Sequence, residues 1–296
     1  MNYRQDNVLF GISESGSLYK MVNSGGGRPD VFIPKILPNG VEITKLISHF
    51  CEGSFKKIVI DNRIEDIQHD AFSDASAYEV VWPSSCKIIP EGCFRYSGVS
   101  AVTNIENVQT VHPFAFSYCP IVSLVWPASC DAIPEGCFRS SSIKNLSNID
   151  HVLHIGESAF ESSLMEKFVW PANCLEVPTK CFFKCQRFKE IQLPPTVSNI
   201  SPLAFSDTGL LRIDWPSACK EIPLACFCGS KLQEITNISH IESIDVNAFA
   251  ECSSLRKIDL SGNTIFYIGP KAFCQVKSQN IILPYYIDAG VVESLF

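Results

Sequence analysis

The chain has 296 residues, a formal net charge of -7 and an isoelectric point near 5.4. This balance argues against a nucleic-acid-binding protein, because such proteins cluster lysine and arginine to neutralise phosphates and no basic run occurs here. No stretch of about twenty uninterrupted apolar residues is present, so the sequence predicts no membrane-spanning helix and no direct membrane insertion.

The first thirty residues contain a predicted hairpin. Segments 8–12 and 17–22 have the composition of strands, and the glycine-rich segment 24–27 follows them as a flexible turn. The start of the chain has no apolar signal-peptide core, which favours a cytoplasmic protein unless an export signal or anchor lies outside this sequence. We predict that residues 1–30 form an N-terminal capping hairpin for a repeat domain over residues 31–296.

A period of 22 to 24 residues organises that domain. Its marker is the phenylalanine column, one phenylalanine at the same position of each repeat: Phe50, Phe72, Phe94, Phe116, Phe138, Phe160, Phe182, Phe205, Phe227, Phe249 and Phe273. Five residues after most of these positions, a short segment alternates in character like a strand with one buried face. Each repeat is therefore predicted to be one coil, with a strand, a turn, a return segment containing one helical turn at most, and a loop. Because all coils wind in the same direction, their strands are predicted to be parallel.

Every second coil carries the motif W-P-x-x-C-x-x-[IV]-P-x-x-C-F, at 82–94, 126–138, 170–182 and 215–227. The motif supplies eight of the fourteen cysteines. Equivalent cysteines lie two coils apart, or roughly 10 Å at the usual strand spacing, which exceeds the distance of about 7 Å that a disulfide spans. We therefore predict free thiols that fill the core beside the tryptophans, and a reducing compartment is favoured.

No metal site, cofactor or catalytic constellation is predicted. Cys181 and Cys185 are four residues apart and Cys226 and Cys228 two, but no second pair at zinc-site spacing follows. A thiol nucleophile is needed once, whereas these cysteines recur with the repeat. The histidines of the return segments are predicted to be solvated: His151, His154 and His240.

Three asparagines replace tryptophan in alternate coils: Asn104, Asn148 and Asn237. A buried asparagine is costly unless it is hydrogen-bonded, so we predict that they are buried and bonded to backbone groups of the turn. The segment 237–239 is formally a glycosylation sequon, which burial would make inaccessible. The sequons at 145–147 and 199–201 are usable only in an exported protein.

The coil from Phe188 to Phe205 carries the segment F-K-E-I-Q-L-P and ends in A-F. It resembles the repeat of the BspA-like leucine-rich repeat family, L-x-x-V-x-[IL]-P-x-x-V-x-x-I-x-x-x-A-F-x-x-C. The Ala-Phe pair recurs in six coils, ending at Phe72, Phe116, Phe160, Phe205, Phe249 and Phe273. The resemblance extends from about residue 30 to the end of the chain, and the departure from it is cysteine in place of alanine or valine in alternate coils.

This resemblance implies an α/β repeat solenoid, a right-handed stack of about eleven leucine-rich-repeat coils with one parallel sheet, mostly strand and turn and little helix. BspA-like proteins are surface proteins of bacteria and parasitic protists. The resemblance therefore also implies a surface antigen that mediates adhesion, with a host or cell-surface protein as ligand.

Two outward positions per strand can be read from the phase of the repeat. From residue 167 onward the first of them alternates in charge along neighbouring strands, which predicts a self-neutralising, soluble face. The earlier strands have an uncharged strip of small side chains: Ala101, Thr103, Ser123, Val125, Asn145 and Ser147. We predict that this strip binds the partner, since a protein can approach it without desolvating ions.

The sequence thus favours a non-enzymatic protein-binding protein, and three settings remain open. The first is the adhesive surface antigen. The second is an intracellular interaction scaffold with a reduced cysteine-rich core, and the third is a receptor ectodomain whose anchor lies beyond this sequence. The tail at 290–296 either folds over the last coil or continues into a longer product.

Overall fold

A computed structural model describes residues 2–296, which divide into two compact units, 2–149 and 150–296. Each unit is a β-solenoid, a stack of coils whose strands pair in parallel, and together they have about 11 turns. The predicted fold class is confirmed.

The described part of the first unit contains fifteen strands. In chain order they are β1 (Asn2–Gln5), β2 (Val8–Ile12), β3 (Ser17–Asn23), β4 (Asp30–Ile33), β5 (Lys45–Leu46), β6 (Cys51–Glu52), β7 (Ser54–Ile60), β8 (Asp66–Ile67), β9 (Ser76–Val81), β10 (Ile88–Ile89), β11 (Ala101–Thr103), β12 (Thr110–Val111), β13 (Ser123–Val125), β14 (Ala132–Ile133) and β15 (Asn145–Ser147).

The second unit contains twelve strands and one α-helix. They are β16 (His154–Ile155), β17 (Lys167–Val169), β18 (Glu176–Val177), β19 (Glu190–Gln192), β20 (Asn199–Ile200), β21 (Arg212–Asp214), β22 (Glu221–Ile222), β23 (Glu234–Thr236), β24 (Ser243–Ile244), β25 (Ile258–Asp259), β26 (Tyr267–Ile268), β27 (Ile281–Ile282) and α1 (Ala289–Leu295), with a 3-10 turn at Ser278–Asn280.

The amino-terminal segment forms an antiparallel sheet. β2 pairs with β3, as the sequence predicts, and β1 adds an unpredicted antiparallel strand beside β2. β3 also pairs in parallel with β5 and β6, so the hairpin continues directly into the first coils. The role of residues 1–30 as the cap of the solenoid stays a prediction.

The strands predicted from the repeat form the main sheet. In the first unit β4, β7, β9 and β11 make one parallel ladder, and β13 and β15 make another. In the second unit the ladders are β17–β19, β21–β23 and β25–β27. Outward side chains alternate with buried ones along these strands, as in Ser123–Val125, where only Leu124 is buried.

The return segments differ from the prediction of turns with single helical turns. They contain two-residue strands that form parallel ladders of their own, such as β10–β12 in the first unit and β22–β24–β26 in the second. Coils stacked at one strand spacing bring equivalent backbone groups within hydrogen-bond distance, so an extended return segment satisfies its N–H and C=O groups without a helix.

The phenylalanine column forms the core of each unit. Successive rings stack, with centroids 5.5 Å apart for Phe94 and Phe116 and 5.3 Å apart for Phe160 and Phe182. The tryptophans lie edge-on against this column, as Trp82 does against Phe94 at 5.9 Å. All these side chains are buried, and removal of their apolar area from water stabilises the fold.

One hydrogen bond explains the W-P-x-x-C spacing. The indole N–H of each tryptophan donates to the carbonyl oxygen of the cysteine four residues later, at 3.1 Å from Trp82 to Cys86 and 3.0 Å from Trp126 to Cys130. The same bond occurs in the two motifs of the second unit. The large ring can therefore be buried completely, because its only polar group has a partner.

All fourteen thiols are free, and all but Cys228 and Cys274 are buried. The prediction of unbridged, core-filling cysteines is confirmed. Burial raises the pKa of Cys119 and Cys252 to about 12 and that of Cys185 to about 11, because the thiolate would be desolvated. These groups remain protonated thiols in the folded chain at neutral pH.

The tail after β27 packs on the last coil, as one of the two predictions for it states. Asp288 caps helix α1 by accepting a hydrogen bond from the N–H of Gly290, and Leu295 is fully buried. The N–H of Phe273 donates to the carbonyl oxygen of Leu295, and the ring of Phe296 lies 6.1 Å from that of Phe273. Phe296 thereby extends the phenylalanine column by one member.

The buried thiols predict a loss of stability at alkaline pH. An unfolded thiol ionises near pH 9, whereas the folded ones ionise near 11 to 12, so above pH 9 the folded state holds more protons than the unfolded state. The free energy of unfolding should then fall by up to about 1.4 kcal/mol per pH unit for each such thiol. Urea unfolding at pH 8, 9 and 10 measures this slope. Replacing Cys119 and Cys252 by alanine should flatten it, and an unchanged slope would contradict the assignment.

Candidate protein-binding site

The six residues of the predicted uncharged strip lie on three strands of the main sheet in the first unit. Their side chains project outward, and all are exposed except the half-buried Ala101. Neighbouring strands align them in two columns, since Ser123 is opposite Asn145 and Val125 is opposite Ser147 in the β13–β15 ladder. The predicted positions are therefore adjacent in space as well as in repeat phase.

The strip lines one open groove of about 520 Å³. All six residues contribute to its wall, and the turns after β11, β13 and β15 close one end with Asn104, Glu106, Pro127, Ala128 and Asn148. Glu106 is the one ionisable side chain of this lining, so the groove offers hydroxyl, amide and methyl groups. It can accept and donate hydrogen bonds without desolvating a charge over most of its surface.

The groove lies over a boundary between two ladders. β11 belongs to the ladder that starts at β4, β13 pairs with β15, and no ladder of the described residues joins β11 to β13. Each tryptophan coil, meaning a coil that carries the W-P-x-x-C motif, thus pairs with the coil that follows it. Sequence reasoning missed this division, although the two-coil period of the tryptophan motif is its signal.

Asparagine fixes the end of the two strand pairs that meet at the groove, β9–β11 and β13–β15. Asn104 and Asn148 have φ angles of 62° and 60°, in the left-handed region that asparagine tolerates better than most residues. Their Nδ2 groups donate to the carbonyl oxygens of Trp82 at 2.6 Å and Trp126 at 2.8 Å. The N–H of each tryptophan donates to the strand that follows it, so the tryptophan peptide bonds to its neighbour through both polar groups.

The predicted burial of these asparagines is wrong. Asn148 and Asn237 are exposed and Asn104 is half-buried, because the left-handed backbone directs the side chain toward the neighbouring turn rather than into the core. Their predicted hydrogen bonds to turn backbone are present, and Asn237 donates to the carbonyl oxygen of Trp215 at 2.8 Å. Burial therefore does not shield the sequon at 237–239.

The second unit carries charge at the equivalent outward positions. The guanidinium of Arg212 lies 3.3 Å from the carboxylate of Glu234 on the next strand, and Lys257 lies 3.1 Å from Asp259 on its own strand. Such exposed pairs contribute little to stability, about 0 to 1 kcal/mol each. They do neutralise one another, which agrees with the predicted soluble face.

His240 is not simply solvated, and the prediction for this histidine is wrong. It is half-buried, and its Nε2 lies 3.1 Å from the carbonyl oxygens of both Pro216 and Cys219.

Over residues 2–296, no three His, Cys, Asp or Glu side chains are arranged to hold a metal ion. The helices found over that same range are too short or too polar to cross a bilayer.

The repeat and its geometry agree with a known family model. The BspA type leucine rich repeat region, a model with six copies of the repeat, matches residues 37–144, 65–189 and 153–282. These matches together extend over most of the chain. The chain therefore belongs to the BspA type leucine-rich repeat family, and the predicted resemblance is confirmed.

Two crystal structures share the fold. A leucine-rich repeat protein from Bacteroides ovatus is 16% identical with a TM-score of 0.64, and 92% of each chain is covered. A leucine rich cell surface protein from Faecalibacterium prausnitzii is 19% identical with a TM-score of 0.59, over 100% of this chain and 97% of that chain. At these identities the likeness shows the fold alone. A search of curated proteins returned no significant match.

Asn148 provides a test of the strand-pair connection. Asn148→Ala should lower the free energy of unfolding by about 1 to 3 kcal/mol, because it removes a hydrogen bond and places alanine at a positive φ. Asn148→Gly should lower it less, since glycine adopts this φ freely. Chemical unfolding measures both, with Asn145→Ala on the adjoining strand as the exposed control. Equal losses for alanine and glycine would contradict the backbone contribution.

Proposed function

We propose that this chain is a non-enzymatic protein-binding protein, a surface antigen of the BspA type that mediates adhesion through the groove of the first unit. The observation that carries the proposal is the groove itself. It brings together the six uncharged residues of the strip on three neighbouring strands, β11, β13 and β15.

The composition of the groove supports a protein ligand. Val125 is 64% exposed among hydroxyl and amide side chains, so it offers an apolar contact surrounded by hydrogen-bonding groups. Interfaces between proteins combine such apolar contacts with about one hydrogen bond per 100–200 Å² and few central charges. The small side chains of Ala101 and Ser123 leave the strand backbone within reach of a partner.

A binding role also fits the chemistry of the thiols. Burial raises the pKa of Cys93, Cys137, Cys181 and Cys226 well above the usual value, so these side chains are protonated and shielded from substrates. A cysteine nucleophile requires the opposite arrangement, a thiolate that is exposed beside a base. The repeated cysteines therefore serve packing.

The surface location rests on family membership. The repeat resembles that of BspA-like surface proteins, and the structural relative from Faecalibacterium prausnitzii is named a cell surface protein. A host or cell-surface protein is accordingly the proposed ligand.

Charged substitutions in the groove test the proposal. Beads coated with Val125→Lys or Ser147→Lys protein should adhere to extracellular-matrix extract and cell monolayers about tenfold less than beads coated with wild-type protein. Lysine adds a charge that must be desolvated on binding, and its long side chain obstructs the groove.

Val169→Lys is the matched control. Val169 occupies the same repeat position as Val125 but lies in the second unit, and it is 62% exposed. Its substitution therefore adds the same charge and the same long side chain as Val125→Lys, outside the groove. All three variants should unfold like the wild type. Adhesion that falls equally in all three would contradict the assignment to the groove.

The second candidate function is an intracellular interaction scaffold, which the fourteen free thiols favour because buried unpaired cysteines persist most readily in a reducing compartment. Labelling of intact cells with a membrane-impermeant amine reagent separates the two settings. Lysines of an adhesin should be labelled on intact cells, and protection until the cells are lysed would support the scaffold.

A further inference from the structure

A stacked tyrosine pair lies outside the groove, on the turns that carry the phenylalanine column. Tyr96 and Tyr118 follow Phe94 and Phe116 by two residues, and their ring centroids are 4.4 Å apart with planes 26° from parallel. The side chains are 55% and 41% exposed. Packing of the core therefore does not explain why tyrosine occupies these two positions.

The backbone at these positions disfavours large side chains. Tyr96 and Tyr118 have φ angles of 58° and 55°, in the left-handed region where bulky residues are uncommon. Equivalent turns of the first unit use Asp74 and Ser140 at φ angles of 62° and 54°. Two exposed tyrosines thus occupy turn positions that small polar residues fill in adjacent coils, and this arrangement suits binding better than folding.

One face of the Tyr118 ring is turned away from Tyr96. Because the two rings face each other, the other face of Tyr118 points along the column toward the next coil, where Ser140 supplies only a hydroxymethyl group. One coil step is the distance at which the buried phenylalanines stack, with centroids 5.6 Å apart for Phe116 and Phe138. The space above Ser140 therefore suits one further planar ring.

The charges next to the pair favour a neutral ring. The guanidinium of Arg95 donates to the carboxylate of Asp70 at 2.9 Å, and the exposed carboxylate of Asp74 lies 3.9 Å from Nδ1 of His49. The carboxylates of Asp70 and Asp74 thus already have basic partners beside Tyr96. A stacked aromatic side chain needs no counter-charge, whereas a cation or an anion would compete with these pairs.

We propose that Tyr118 and Ser140 form a stacking site for an aromatic side chain of a protein partner, with Tyr96 holding the ring of Tyr118 in place. The inserted ring is the third member of the tyrosine column. Tyrosine is among the residues most enriched in the energetically dominant part of protein interfaces, which agrees with this role. The site is separate from the groove and does not depend on the proposed adhesion.

A minimal ligand tests the site directly. N-acetyl-tryptophanamide is titrated into the chain labelled with ¹³C on its tyrosine rings, and the NMR signals of the rings are followed. N-acetyl-leucinamide and methyl glucoside are titrated separately as comparison ligands, one aliphatic and one carbohydrate. The tryptophan compound should shift the signals of Tyr118 and Tyr96 in a saturable curve and leave the signal of Tyr285, which is 97% exposed in the second unit, unchanged. Leucinamide and the glucoside should produce no comparable shift.

Two variants locate the binding. Tyr118→Ser should weaken binding about tenfold or more, because it removes the ring on which the ligand stacks. Ser140→Tyr should abolish binding while the chain remains folded, because it supplies the third ring from within the chain, at a turn position that already accepts tyrosine twice. Tyr285→Ser is the control and should bind like the wild type.

Three results would overturn the proposal. They are the absence of a saturable shift in the wild type, unchanged binding by Ser140→Tyr, and equal or stronger binding of leucinamide or the glucoside. The last result would identify a general apolar surface or a carbohydrate site. Adhesion that persists in Tyr118→Ser leaves the groove assignment intact, so the two proposals fail separately.

Discussion

Stacking at one coil spacing is the constraint on which this structure depends. Each side chain meets the residue at the equivalent position of the next coil, so a position favours residues that pack well against one another along the stack. Planar rings satisfy that condition well, and the phenylalanine column keeps near-parallel rings along most of each unit. Stability in such a stack comes from contacts between neighbours, which gives every coil nearly the same local requirements.

The tryptophan motif adds a second level of order. The indole hydrogen bond to the cysteine carbonyl allows the ring to be buried, and the peptide of the same tryptophan bonds to the following coil. At Trp126 the carbonyl oxygen accepts from the side chain of Asn148. These bonds join coils in twos, and the groove lies where two such pairs meet. The cysteines complete the packing as small, protonated thiols.

Much of this could be predicted from the sequence, because a repeat shows each position many times. The period of the phenylalanine column gives the coil length, and the alternation in segments such as Ser123–Val125 gives the outward positions. The return ladders could not be predicted, since a strand of two residues such as Thr110–Val111 has no periodicity to detect. The exposure of Asn148 and the stacking of Tyr96 on Tyr118 depend on a left-handed backbone, which the sequence does not reveal.

The pairing of coils also bears on how such a chain can change in length. Loss of one coil would place two tryptophan coils, or two coils that lack tryptophan, side by side and would remove a partner for the tryptophan peptide. Loss or gain of two consecutive coils would keep each coil that carries a tryptophan beside one that lacks it. Genetic duplication and deletion in this chain should therefore proceed in steps of two coils. Each such step would insert or remove one ladder boundary of the kind over which the groove lies, and so would alter the number of surfaces available for recognition.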